Sequence, residues 1–422
     1  MASMAATRQA WRSADVDERY IRTGSSILQV ARPCALPFAA LHTGGSGPAS
    51  PRGRRPGAAW GTMRAHSTVS APRPAPVNSM PTQLDLVVAG RPQTTCIHLD
   101  ASLASLPALA AGRQVVLVVD ANVRRLHGAR LPDWPLLEIE AGEATKTLTT
   151  CERLARALVD QGVDRSTLIV GVGGGVTCDV TGFVGSTLLR GVPFGFVPTT
   201  LLAQVDAAIG GKNGVNLGGL KNLVGTVTQP EFVLSDHALL ATLPPREVGC
   251  GIAEAIKTAA VGDAALFALI EASLDRLLRS DEEAAARVVE GAVRMKVRLV
   301  AEDERDHGPR RLLNFGHTLG HAIEKVFGTS HGEAVAAGMT AAGRLSVRRG
   351  LLPAAEGERL ERLIERAGLP LSYPSDRWPD LVAAIGHDKK RVRRRQAGVL
   401  LRAIGDGVVI EVDDEEWRDM RP

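Results

Sequence analysis

The residues best suited to chemistry lie in two stretches of the 422-residue chain. In GIAEAIKTA (251–259), Glu254 sits among apolar residues at helical spacing, a costly place for an unpaired carboxylate. In RRLLNFGHTLGHAIEKVFGTSHGEA (310–334), His317 and His321 are four apart on one helical face, and His331 follows in a short loop. One Glu with two or three His is a donor set for zinc or a similar divalent ion, with a position left open for substrate. His307 brings the local histidines to four. The spacing is not H-E-x-x-H, so a zinc protease is not indicated. Which three residues hold a metal is not decided by spacing, although the i,i+4 pair points to His317 with His321.

Two glycine-rich segments extend the inventory. GVGGGVTCD (171–179) follows an apolar run, and consecutive glycines allow backbone to approach a pyrophosphate. It departs from G-x-G-x-x-G at Val176, so alone it is also compatible with a tight structural turn. Asp120 and Asn122 end an earlier strand pattern and Thr199 and Thr200 end a later one. Three polar strand ends on one sheet edge predict a dinucleotide site. QVDAAIGGKNGVNLGGLKN (204–222) sets Asp206, Lys212, Asn216, Lys221 and Asn222 among glycines. Lysines beside Asn and flexible backbone suit an anionic, phosphate-bearing substrate; the plain alternative is a mobile surface loop.

These groups need a frame. QVVLVVD (114–120), TLIVGVGGG (167–175) and VPFGFVPTT (192–200) read as strands, and TLTTCERLARALVDQGV (147–163) as a crossover helix ending at Gly162. Alternating strands and helices predict a parallel sheet covered on both faces. From about residue 237 the pattern is almost wholly helical. The expected domains are an extension at 1–79, an α/β domain at 80–236 and a helical domain at 237–422, with the ligand cleft between the last two.

Charge and cysteine usage narrow the partners. Residues 1–79 hold ten Arg, no Lys and three acids, a charge of +7, which leaves −3 on residues 80–422. The body is thus slightly acidic, and the formal +4 of the whole chain gives no support for nucleic acid. No charge-free run of 18 apolar residues exists, which excludes a helical membrane span. Five Cys without a C-x-x-C suit a reducing compartment rather than a disulfide framework. The extension is expected to be disordered: either an organelle transit peptide or an over-extended start with Met63 or Met80 as the true beginning. The expected location is cytoplasmic, or plastid if the extension is a transit peptide.

Taken together, GGGVTCDVTGF, LLRG, VPTTLLAQVDAAIGGKNGVN, LKN, TLPPRE, AEAIKTA, LLNFGHTLGHAIE and HGEAVAAGM resemble the 3-dehydroquinate synthases, in collinear order from about residue 85 to 415. The resemblance implies a homodimer with an N-terminal NAD-binding α/β domain, an all-α C-terminal domain, and one divalent metal, zinc or cobalt. It implies Glu254, His317 and His331 as metal ligands, with His321 beside the substrate phosphate instead. For NAD it implies Asp120, Asn122, Glu143, Lys146, Gly175, Asp179, Thr199, Thr200 and Thr242. Catalytic positions would be Lys212, Lys257, Arg310, Asn314 and His321. Substrate positions would be Asp206, Lys221, Asn222, Lys296, Lys389 (or Lys390), and Arg190 reaching across the dimer. The implied activity converts 3-deoxy-D-arabino-heptulosonate 7-phosphate to 3-dehydroquinate in the shikimate pathway. Its steps are transient oxidation by NAD, phosphate β-elimination, re-reduction and intramolecular aldol closure. The rivals are a sister cyclase acting on sedoheptulose 7-phosphate, a metal-dependent polyol dehydrogenase, and a catalytically inert binding protein. Three positions depart from the pattern: Ala141 in AGEATK where an acid is usual, Cys178 before Asp179 where Gly is usual, and Asn213 after Lys212. The first two are expected to weaken cofactor binding.

Overall fold

The computed structural model describes residues 82–91, 94–385, 395–418 and 420, all within one compact unit, Pro72–Pro422. The extension at 1–79 and both Lys389 and Lys390 therefore lie outside the described residues.

Nine strands precede the helical half. They are β1 (Thr82–Val87), β2 (Thr94–Leu99), β3 (Val115–Asp120), β4 (Leu136–Ile139), β5 (Leu168–Gly173), β6 (Phe194–Pro198), β7 (Lys212–Leu217), β8 (Leu220–Val227) and β9 (Phe232–Leu234). Seven form one sheet in the order β1-β2-β9-β6-β5-β3-β4, parallel except for the antiparallel edge pair β1–β2. Near-continuous Val, Leu and Ile in β3 and β5 follow from burial on both faces. Along β3, Val116 and Val118 enter one apolar cluster while Val115, Leu117 and Val119 enter the other. Helices α1 (Leu106–Ala110) and α2 (Ala121–His127) cover the second face, and α3 (Leu148–Asp160) and α4 (Gly175–Thr187) the first. The 147–163 helix and all three strands thus appear where the pattern predicts, with shorter ends.

The 204–222 segment is ordered rather than a surface loop. Ala203–Ala207 form one wide turn closed by Ala208 N–H on the Ala203 carbonyl at 3.1 Å. Strands β7 and β8 then pair as an antiparallel hairpin. Its two-residue turn is Gly218–Gly219, both at positive φ (58° and 76°), the geometry that matches strand twist. Asn213 stitches this hairpin, donating to the Gly211 and Thr228 carbonyls at 3.0 and 2.9 Å.

The helical half comprises α5 (Pro245–Gly262), α6 (Ala264–Leu277), α7 (Glu282–Glu302), α8 (His317–Phe327), α9 (His331–Arg348), α10 (Ala354–Arg366) and α11 (Trp378–Ile385). It departs from an all-α reading in one place. Strands β10 (Arg395–Ala403) and β11 (Asp406–Asp413) form a terminal hairpin whose apolar residues join the main core. Small residues in α5 and α9 let helices approach closely: a Cβ on Gly332 would stand 2.3 Å from Cys250 Cα, and one on Gly338 2.0 Å from the Gly316 carbonyl oxygen. That contact distance is what brings α5, α8 and α9 to a common point. Among the described residues, no helix is long and apolar enough to cross a membrane, and the four cysteines are thiols rather than disulfides.

Candidate active site

A cavity of about 720 Å³ opens between the carboxyl ends of the sheet strands and the three helices α5, α8 and α9. One wall comes from strand ends. Asp120 ends β3 and caps α2, accepting the Asn122 and Val123 N–H groups at 2.8 and 3.4 Å. At the end of β5 the chain passes through Gly174 and enters α4 at Gly175, with no side-chain cap over the helix N-terminus. A Cβ on Gly174 would reach Thr200 Cγ2 at 3.0 Å, and one on Gly175 would reach Ala207 Cβ at 3.2 Å. This wall is therefore uncapped backbone N–H at a half-buried helix start, a cradle suited to an anionic phosphate group. Thr199 and Thr200 close β6 beside it, and Thr242 shares a 2.8 Å hydrogen bond with His127. Lys146 is ion-paired with Asp179. Burial pushes the Asp179 carboxyl up, and Lys146 opposes that shift. Glu143 accepts the Asn216 amide at 2.8 Å, and Asn216 in turn accepts the Asn222 N–H at 2.9 Å.

The opposite wall is built from buried charge. Glu254 on α5 is fully buried, and neither carboxylate oxygen accepts a well-formed hydrogen bond. What approaches it are Lys257 Nζ at 2.5 Å, His331 Nε2 at 3.2 Å and His317 Nε2 at 4.0 Å. Donor atoms of Glu254, His317 and His331 all lie within 4.8 Å of one another. Each histidine is held by its other nitrogen: His317 Nδ1 lies 3.2 Å from the Phe315 carbonyl and His331 Nδ1 3.3 Å from Glu324. That arrangement, a ligand nitrogen aimed inward with its partner fixed by an oxygen, is how metal sites orient imidazoles. The electrostatics agree. Burial, then the Lys257 charge, pushes the His317 imidazole well below its usual range, keeping the neutral form that ligates. Burial would lower His331 too, but Glu254 and Glu324 on either side raise it to about 9, a point that favours positive charge. Burial would raise Glu254, yet Lys257 and the two histidines hold it well below the ordinary carboxylate range. The residues present therefore fit a divalent ion.

This geometry corrects the spacing-based pairing. His321 lines the cavity on the same helix as His317, their rings 5.1 Å apart, but stands outside the three-donor group. The loop residue His307 is exposed and not part of that group.

Charged residues of the wide turn, α5 and α7 are chained together. Asp206 pairs with Lys257 at 2.9 Å and with Lys296. Burial and the Arg310 charge push Lys296 well below the usual ammonium range. Arg310 is buried under Gly210 and donates to the Glu304 carbonyl at 2.5 Å. Lys212 pairs with Asp306 at 2.8 Å, and Asn314 reaches the same carboxylate at 3.5 Å. Lys221 and Asn222 line the cavity from the hairpin, Lys221 at 2.5 Å from Glu324. Lys212, Lys296, Arg310 and Asn314 do not line the cavity, and Lys257 and His317 stand one layer behind it, Lys257 against Glu254 and Asp206 and His317 against Glu254, His321 and His331. Arg190 is exposed at the far end of α4, in a turn where Leu189, Arg190 and Gly191 all have positive φ.

Among the departures, Ala141 lines the cavity, whereas Cys178 is buried on the inner side of α4 and keeps its thiol off the cradle. Two acids went unread in the sequence. Asp306 joins Lys212 to Asn314, and Glu324 joins Lys221 to His331. The signal for Glu324 was its place seven residues after His317 on one helical stripe.

Comparison with known proteins gives the family. Residues 136–250 match the family described as 3-dehydroquinate synthase N-terminal, and residues 251–391 match 3-dehydroquinate synthase C-terminal. The chain is 42% identical over 306 residues to the 3-dehydroquinate synthase of Desulforamulus reducens, covering 70% of this chain and 85% of that protein. Among solved structures it resembles 2-epi-5-epi-valiolone synthase from Streptomyces hygroscopicus with NAD+ and Zn2+ bound, at 32% identity and a TM-score of 0.73, over 79% of this chain and 97% of that one. It also resembles 2-deoxy-scyllo-inosose synthase complexed with carbaglucose-6-phosphate, NAD+ and Co2+, at 25% identity and a TM-score of 0.73, over 80% and 99%. With both halves matched in order and a relative of this identity, the chain belongs to the 3-dehydroquinate synthase family.

Proposed function

We propose that this protein is a 3-dehydroquinate synthase. It converts 3-deoxy-D-arabino-heptulosonate 7-phosphate to 3-dehydroquinate and phosphate, using NAD and one divalent metal, zinc or cobalt, as a homodimer in the cytoplasm. The observation that carries this reading is the three-donor group of Glu254, His317 and His331, of which Glu254 and His331 line the same cavity as a glycine-rich helix N-terminus. When bound, the metal makes a substrate hydroxyl easier to ionise and NAD carries a hydride out and back.

The remaining work falls to side chains. Asp120, Asn122, Glu143, Lys146, Asp179, Thr199, Thr200 and Thr242, with the Gly175 backbone, hold the dinucleotide. Lys257 bridges Glu254 and Asp206 and so keeps two carboxylates together without their mutual repulsion. Lys212, Asn222 and His321 stabilise the departing phosphate, and Lys221 supports them. Lys296, Arg310 and Asn314 recognise the substrate carboxylate, two cations and an amide being suited to that group. Arg190 serves the phosphate of the partner subunit's site, and Lys389 completes the set. A polyol has no anion for these cations to meet, so the dehydrogenase reading is disfavoured.

The test is turnover of the full chain with NAD and zinc or cobalt on two substrates. Formation of 3-dehydroquinate from the heptulosonate supports the reading. Turnover of sedoheptulose 7-phosphate alone moves the protein to a sister cyclase, and net NADH accumulation with a polyol moves it to a dehydrogenase.

A further inference from the structure

Of the carboxylates lining the cavity, only Glu254 and Glu324 are buried, and Glu324 has no place among the metal donors. It sits on α8 in line with His317 and His321, three residues before the helix ends at Phe327. Gly328, in the left-handed region at φ 65°, then turns the chain so that His331 opens α9 opposite that stripe. Glu324 Oε2 is 3.3 Å from His331 Nδ1, while Oε1 is 2.5 Å from Lys221 Nζ on β8. Lys221 also stands 3.8 Å from Glu143. One carboxylate thus joins a metal-facing histidine to a hairpin that comes from the sheet half of the chain.

We propose that Glu324 is a positioning residue that fixes His331 for the metal and ties it, through Lys221, to the β7–β8 hairpin. This rests on the metal reading of Glu254, His317 and His331. With Nδ1–H donating to Glu324, Nε2 faces the space it shares with Glu254 and His317, and the carboxylate would make that nitrogen a stronger donor to an ion held there. The side chain of His331 is 34% exposed, so packing alone does not fix its ring. Glu324 supplies that constraint.

The experiment measures zinc affinity of the metal-stripped full chain by competition with a chelator, together with the zinc-free Tm. Glu324→Ala is expected to weaken zinc binding about 10- to 100-fold. Glu324→Gln keeps an accepting oxygen and is expected to recover much of that loss. Lys221→Met is expected to cost a few-fold. A lower zinc-free Tm in Glu324→Ala with zinc affinity unchanged in both Glu324 variants would mean a packing role only and overturns the assignment. Parent-like zinc affinity in Lys221→Met overturns the tie to the hairpin. Should the parent chain itself fail to bind zinc, the metal reading falls and this assignment falls with it.

Discussion

The two walls of the cavity solve different problems with different materials. The sheet wall uses strand ends, a helix N-terminus and backbone N–H groups, with its polar side chains spread over six segments from Asp120 to Thr242. The helical wall concentrates a fully buried carboxylate, a lysine and two histidines within a few ångströms. A dinucleotide is long and gains a little from each contact, so its wall tolerates the loss of one. An ion depends on three donors at once, so its wall does not.

The largest effect should follow from Glu254→Gln. Turnover is expected to fall on the order of 10³-fold, since one charged ligand is removed. Stability should fall by less than the ~3–5 kcal/mol typical of a broken buried pair, because Lys257 retains Asp206. Phosphate release and thermal melting check the two parts. Next, Arg310→Met should lower kcat/KM for the heptulosonate by about 10- to 150-fold, the value of a charged hydrogen bond of ~1.5–3 kcal/mol. NAD affinity should change far less, and equal losses in both would remove the carboxylate assignment.

A pair of glycine substitutions sharpens the contrast between the walls. Gly332→Ala forces a Cβ against the Cys250 backbone and should cost about 1–3 kcal/mol along with zinc affinity. Gly175→Ala meets the Ala207 methyl at 3.2 Å and Leu202 Cδ2 at 3.7 Å and no backbone, so the fold should hold while NAD affinity, read by titration, drops roughly tenfold or ~1.4 kcal/mol. Comparable melting temperatures for the two variants would erase the distinction.

The smallest effect concerns the start of α9. Arg246, then Thr329 and Ser330, lower Glu333 to about 2 against a weaker upward push from burial. A carboxyl depressed in the folded state stabilises it above the unfolded pKa near 4.5 and loses that contribution as pH falls toward 2. The Tm gap between the parent and Glu333→Gln should therefore be full above about pH 5 and close on acidification. A gap that widens in acid would contradict this.

The sheet half was readable because buried parallel strands write themselves as unbroken apolar runs, as in β3 and β5. The β7–β8 hairpin was not, because Gly and Asn interrupt its alternation and only Gly218–Gly219 hint at the turn. The terminal hairpin was absorbed into the helical pattern around it, although Gly405-Asp406-Gly407 marks its bend. Residue types at the metal wall were legible, but the membership was not. Both His321 and His331 are at plausible spacing from His317; the choice of His331 came from the family resemblance, and in the structure the close packing of α9 on α5 at Gly332 sets His331 beside Glu254. Glu324 and Asp306 were hidden for a related reason: acids on amphipathic or loop segments look solvated until tertiary packing buries them.

The most direct test of this account is a zinc titration of the metal-stripped full chain and four variants. The parent should bind one equivalent, and Glu254→Ala, His317→Ala and His331→Ala should each lose it. His321→Ala should keep the zinc and lose turnover. If His321→Ala loses zinc as severely as His317→Ala while His331→Ala keeps it, the helical wall has been assigned the wrong third ligand.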